Sequence, residues 1–212
     1  MAQTANCLNI SQPGVVTFDG TATFYGRTLT PGTGIAITNG DGIAGNPIIA
    51  LQSVVVSTFS AFLNASVSNV TGDGTNYPIV LNSTSFNVGS NFNTATGKYT
   101  APVTGKYLFT ASIPLLNIGA GHDKGRWFIA IENSSAVATQ SFEFCQVSPA
   151  AVKNVDTNCC FSGSVLVSMS VADRAYISVQ VYDSTKTIGI QGSAAVTSSP
   201  YACLTGYLVS QQ

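Results

Sequence analysis

The chain has 212 residues, long enough for one large domain or a domain with an appendage to bury a substantial core. Only 8% of the residues are charged, the formal net charge is -1 and hydrophobic residues make up 45%. Eight Lys and Arg cannot build the basic surface that nucleic acid or an anionic membrane requires, and a chain this apolar is not a disordered one.

No apolar run approaches the roughly 18 residues of a spanning helix, and the opening MAQTANCLNISQPG lacks the basic and apolar regions of a signal peptide. The sequence therefore predicts a soluble chain with no membrane insertion. Its surface must be covered by Gly, Ser, Thr, Asn and Ala, the composition of β-rich extracellular, phage and viral structural proteins. A folded monomer ordinarily stays dispersed through a mixed charged surface. Here much of the uncharged surface is expected to be buried between identical subunits.

Helical periodicity is nearly absent, and Gly, Pro, Asn and Thr punctuate the chain as they do many short strands joined by turns. Residues 1–52 read as a short β-rich connector, stalk or assembly segment. Within it, Val15, Val16, Phe18, Phe24 and Tyr25 are too apolar for a solvated tail, and Cys7 offers a covalent link to a neighbour. An extended segment of this kind can add a strand to another subunit's sheet, and such a heterologous contact propagates head to tail. The alternatives are an anchor for a single assembly at a phage or virion base and a hairpin folded onto its own head. The following stretch, TPGTGIAITNGDGIAGNPIIALQ, alternates at Ile35 and Ile37 and is apolar at Ile48, Ile49 and Leu51. It reads as short strands ordered by packing against copies of themselves or another subunit, rather than as a flexible linker.

From residue 53 to 212 the strands become regular. They are expected at Val54 to Leu63, Phe86 to Phe92, Tyr107 to Leu116, Trp127 to Glu132, Thr139 to Gln146, Cys160 to Met169, Ala175 to Tyr182, Thr187 to Gly192 and Tyr201 to Val209. Tyr107, Phe109, Ala111 and Ile113 alternate as a half-buried antiparallel strand demands, and Ala175, Ile177, Val179 and Val181 do the same. Tyr176 and Tyr182 then stand on the opposite face, which suggests a neighbour there. The pattern gives an all-β class and a two-sheet antiparallel jelly-roll sandwich.

Residues 86–109, FNVGSNFNTATGKYTAPVTGKYLF, and the closing SPYACLTGYLVS carry a sharper signal. Phe86, Asn87, Phe92, Asn93, Gly97, Tyr99, Ala101, Pro102, Gly105, Tyr107 and Phe109, with Ser199, Tyr201, Gly206, Tyr207 and Leu208, closely resemble the globular head of complement's first component, q subcomponent, and the wider tumour-necrosis-factor-like jelly roll. The resemblance implies a homotrimer packed along a threefold axis, with Phe86, Phe92, Tyr99, Tyr107, Phe109, Tyr201 and Tyr207 in core or trimer packing. It also implies a binding head at the tip of a fibrous stalk. The Gly-rich segment before the head resembles the repeats that precede heads in phage tail fibres.

Cys7, Cys145, Cys159, Cys160 and Cys203 make an odd count, so at least one thiol is free or bonded to another chain. Four of them read as small buried hydrophobes. The sole histidine, His122, lies with Asp123, Lys124 and Arg126 in GAGHDKGR, the densest charge cluster of the chain, and no G-x-S-x-G elbow accompanies it. These four residues are the candidate contacts for a glycan or protein receptor, weighed against a plain solvated connection. No catalytic residue, metal or cofactor is expected. Asp73 alone reads as a turn residue, and the Asn-x-Ser/Thr matches at Asn9, Asn64, Asn69, Asn82 and Asn133 are discounted as chance. The sequence thus points to a non-enzymatic structural subunit of an extracellular, cell-surface or virion fibre, self-assembling as homotrimers joined through the N-terminal segment. The alternative is a receptor-binding or adhesion head.

Overall fold

Runs of β-branched and aromatic residues between Gly, Asn and Pro favour strands joined by turns, and in the computed structural model of the chain strands are the regular structure of the described residues apart from one short helix. The structure describes residues 15–18, 24–32, 34–41, 46–51, 55–194 and 201–212. The chain divides into two units, Met1–Val54 and Val55–Gln212. In the first, β1 (Val15–Phe18) pairs antiparallel with β2 (Phe24–Arg27), and β3 (Ile35–Thr38) pairs antiparallel with β4 (Ile48–Leu51).

The second unit begins with β5 (Thr58–Phe62), β6 (Val67–Thr71), β7 (Asn76–Pro78), β8 (Ser83–Val88), β9 (Phe92–Asn93) and β10 (Lys98–Thr100). The long strands β11 (Gly105–Leu116), β12 (Lys124–Glu132) and β13 (Ala138–Val147) follow, then the single-turn α1 (Pro149–Val152). The chain closes with β14 (Cys159–Met169), β15 (Arg174–Tyr182), β16 (Ile188–Ile190) and β17 (Cys203–Gln211). One sheet has seven strands in the order β6-β16-β11-β17-β5-β8 with β14 on the far side of β11, and the other has six in the order β13-β12-β15-β10-β9 with β7 beside β15.

Both sheets are antiparallel and contribute their inward residues to one core. Phe59, Tyr107, Phe109, Val167 and Leu204 come from the first sheet; Tyr99, Trp127, Ile129, Ala175, Ile177 and Val179 come from the second. At the centre the Phe59 ring stacks on Tyr99 at 4.8 Å and on Phe92 at 4.9 Å, an arrangement worth about 0.5–1.5 kcal/mol per pair beyond the area buried. The two buried phenols are satisfied: Tyr99 hydrogen-bonds Ser57 Oγ at 2.7 Å, and Tyr107 donates to the Val103 carbonyl at 2.6 Å. Gly206 lets this cluster close, because a Cβ there would stand 2.5 Å from the Phe109 ring. Gly97 sits at φ +68°, and a Cβ would meet the Ile79 carbonyl and Val80 Cα at 2.7 Å.

The all-β jelly-roll sandwich agrees with the sequence reading; several element bounds differ. The strand expected over Phe86 to Phe92 is two strands, because Gly89 (φ 84°) and Ser90 (φ 56°) both turn the chain through the left-handed region. Asn87 staples that turn, its side chain accepting from the Phe92 N–H at 3.1 Å and donating to the Phe92 carbonyl at 2.8 Å. The strand expected to start at Trp127 starts at Lys124, since Lys124 pairs with Tyr182 in the register of β15. β6, β7 and β10 were not expected: each has five residues or fewer and takes its order from a long neighbour.

Candidate functional site

His122 lies at the turn between β11 and β12 and is 1% exposed. The Gly119 N–H donates to Nδ1 at 2.8 Å, which leaves Nε2 as the protonated nitrogen, donating to the Thr185 carbonyl at 3.1 Å. A ring whose two nitrogens are taken by backbone presents nothing to a ligand, so His122 is removed from the binding candidates and assigned to holding the 119–122 turn against residue 185. Asp123 and Lys124 are exposed and Arg126 is half-buried. Lys124 and Arg126 belong to a strand rather than to the loop read from the sequence.

The period-2 alternation of β12 sends Lys124, Arg126, Phe128 and Glu132 to the outer face of the six-stranded sheet. Arg126 grips Glu143 on the neighbouring strand through two hydrogen bonds, Nε to Oε1 at 3.0 Å and a second nitrogen to Oε2 at 2.6 Å. The bidentate pair holds the Glu143 carboxyl below the usual range and raises the guanidinium further. Arg126 also covers the Phe128 ring at 5.0 Å, and Lys124 covers Tyr182 at 5.2 Å. Further along, Glu132, 5% exposed in its side chain, is held by Lys98 at 2.7 Å and Arg174 at 3.4 Å. Lys98 lies 4.9 Å from the centre of the Tyr176 ring. The two tyrosines that the sequence places on the outer face are thus partnered by cations of their own chain.

The outer face of the seven-stranded sheet is of opposite character. Across it, one row reads Leu166, Leu108, Tyr207, Thr58 and Val88, and the next reads Ser164, Thr110, Thr205, Ser60 and Phe86. Leu166 is 56% exposed, and Phe86 and Tyr207 are 48% exposed each. In β5, β8, β11, β14 and β17 the single charged residue is Lys106, near the start of β11. Phe92, Tyr99, Tyr107 and Phe109 lie inside the core, and Tyr201 is half-buried against Phe62 at 5.6 Å. The aromatic residues carried by the resemblance therefore divide into an interior set and an outward-facing pair, Phe86 and Tyr207.

On the same face, Cys160 and Cys203 flank Ser112, and Cys160 Sγ is 3.2 Å from Ser112 Oγ. Cys160 is exposed, and Cys159 and Cys203 are half-buried; all three are free thiols, so the expectation of four buried cysteines is corrected for these three. Burial pushes the Cys159 thiol up to about 12 and also raises Cys203. Cys159 and Cys160 line an open cavity of about 160 Å³ with Pro114, Asn154, Asn158 and Gln191. Strand alternation separates their Cβ atoms to opposite faces.

Cys7 lies outside the described residues. Val15, Val16 and Phe18 fall in β1, and Phe24 and Tyr25 in β2; their side chains lie outside the description. Among the described residues no three His, Cys, Asp or Glu side chains come together as metal ligands. Asp73 accepts from the Thr75 N–H at 3.0 Å, which with the Thr75 side chain lowers its carboxyl pKa and marks it as a turn residue. No helix among the described residues is long and apolar enough to cross a membrane.

Residues 58–209 match the family described as the C1q domain. Among solved structures the chain is similar to the Eiger TNF from S. frugiperda, with 15% identity, 76% of this chain and 96% of that chain covered, and a TM-score of 0.51. It is also similar to the globular domain of zebrafish complement 1qA, with 17% identity, coverage of 74% and 100%, and a TM-score of 0.46. Murine APRIL matches at 8% identity, coverage of 73% and 100%, and a TM-score of 0.47. No curated protein matches the chain.

Proposed function

The chain belongs to the C1q domain family through residues 58–209, and from that premise we propose that it is a non-enzymatic structural subunit of an extracellular or virion fibre, with jelly-roll heads that self-assemble as homotrimers joined through the N-terminal segment. The observation that supports this reading is the outer face of the seven-stranded sheet. It exposes Leu166, Tyr207, Phe86, Val88 and Val209 among Ser and Thr, with Lys106 the single charge of its five longest-paired strands. A monomer would leave this surface in water, whereas burying each large side chain in a subunit contact contributes about 1.5–3 kcal/mol. The N-terminal segment, residues 1–52, serves as the connector, and Val15, Val16, Phe18, Phe24 and Tyr25 supply the apolar side chains for docking on a neighbour, with Cys7 available for a covalent link.

Sedimentation of the full chain tests the trimer and negative-stain microscopy tests the joining. We expect trimers whose filaments vanish when residues 1–30 are deleted. A stable monomer at working concentration overturns the assembly, and discrete trimers from both chains overturn the polymer. A second reading, a receptor-binding or adhesion head, draws support from the outer face of the other sheet, where Lys124 covers Tyr182 and Arg126, held by Glu143, covers Phe128, with the exposed Asp123 next to Lys124 in the chain. Binding on a glycan array that is lost when Lys124 and Arg126 are both changed to Ala would favour it over a purely structural role.

A further inference from the structure

All residues of β4 are exposed, Ile48 at 59%, Ile49 at 63% and Leu51 at 83%. The antiparallel register sets Leu51 opposite Ile35 and Ile49 opposite Ile37, so large aliphatic side chains gather on one face of the β3–β4 hairpin. The reverse face carries Ala36 opposite Ala50 and Thr38 opposite Ile48. A two-stranded sheet is marginal in water without a second layer, and the backbone hydrogen bond from the Leu29 N–H to the Gly40 carbonyl at 2.8 Å supplies no such layer.

We propose that the face bearing Ile35, Ile37, Ile49 and Leu51 is covered by the same face of the hairpins of the other two copies, forming a three-sided, apolar-cored connector. This rests on the homotrimer reading of the head. Two features single out other copies of this chain as the occupant. Between Thr28 and Leu51 the single charged residue is Asp41, so like charges do not oppose self-association and the segment offers no charge pattern for an acidic or basic partner to read. Residues 52–57 alone separate β4 from β5, a tether of at most about 25 Å. Once three heads associate, the three hairpins therefore meet at an effective concentration on the order of millimolar, and the second contact is gained without a second diffusional encounter.

The test uses the full chain with a benzophenone amino acid in place of Ile49, isotopically light and heavy copies mixed, and irradiation followed by peptide mapping. The same photoreactive group in place of Val155, 98% exposed in the head, is the control. Parallel sedimentation reports the oligomer. The expected result is covalent dimers and trimers from position 49, with light-heavy links into residues 34–51, no such links from position 155, and at least a tenfold loss of the position-49 links when Leu51→Glu is added. A sedimenting trimer whose position 49 links only to its own chain or to a head peptide overturns the connector while leaving the head trimer standing. A sedimenting monomer overturns both.

Discussion

Leu108 stands directly opposite Leu166 on the outward side of the β11–β14 pair, and its other neighbour in the same row is Tyr207. The half-buried Leu108 thus lies at the middle of an apolar row, in a sheet face with almost no charge to keep it in water.

In the proposed assembly a carboxylate at the middle of that row removes the reason for subunits to meet there. For Leu108→Glu we expect the trimer to dissociate by two orders of magnitude or more in concentration, because a buried unpaired charge costs several kcal/mol. The protomer should keep its strand content, since the side chain points out of the core. Sedimentation velocity with circular dichroism reads both, and a trimer undiminished in the variant would remove this face from the assembly.

His122 is expected to matter for stability alone. In His122→Ala the Gly119 N–H loses its partner, the Thr185 carbonyl keeps the Thr187 N–H but loses the imidazole, and a cavity opens, a loss of about 2–4 kcal/mol. Chemical denaturation measures the loss, and any glycan or receptor binding of the folded fraction should be unchanged. Binding lost with stability intact would return His122 to the recognition surface.

The Glu132 carboxylate is nearly buried between Lys98 and Arg174. Removing it in Glu132→Ala leaves two cations facing each other, and we expect about 3 kcal/mol of destabilisation, against less than half that for Arg126→Ala at the more exposed Glu143 pair. Equal losses in the two variants would show that burial does not set the worth of these pairs.

Burial pushes the Cys159 thiol in the folded chain up to about 12, against an ordinary value of 9.0. A folded-state value raised in this way means that the protonated thiol is favoured by folding. The contribution is complete below pH 9 and is lost as the pH climbs from there toward 12. Because the thiol is only partly buried, the effect is on the order of 1 kcal/mol. Unfolding midpoints taken at pH 7, 9 and 10.5 should fall for the native chain and fall less for Cys159→Ser. Parallel curves would assign the alkaline loss to other groups, of which buried Tyr99 is the first to examine.

The sequence alone determined the class of the molecule. Strand content, the two-sheet arrangement and the family resemblance rest on local patterns, the alternation through Tyr107 and Phe109 and the Asn-bearing turn after Phe86, whose chemistry acts within a few residues of chain. Pairing was beyond its reach. Lys124 and Arg126 read as loop because nothing nearby in sequence shows that Tyr182 and Gln180 hold them in a strand, and His122 read as exposed because its acceptor, Thr185, is remote in sequence. Tertiary structure also decided which aromatics are interior and which stand outward. Phe86 and Phe109 look alike as residues in a strand, but the register with Ser60 turns one toward water while Gly206 opens a place in the core for the other. A side chain's type and period fix that it has two faces; only the neighbouring strands fix which face is covered.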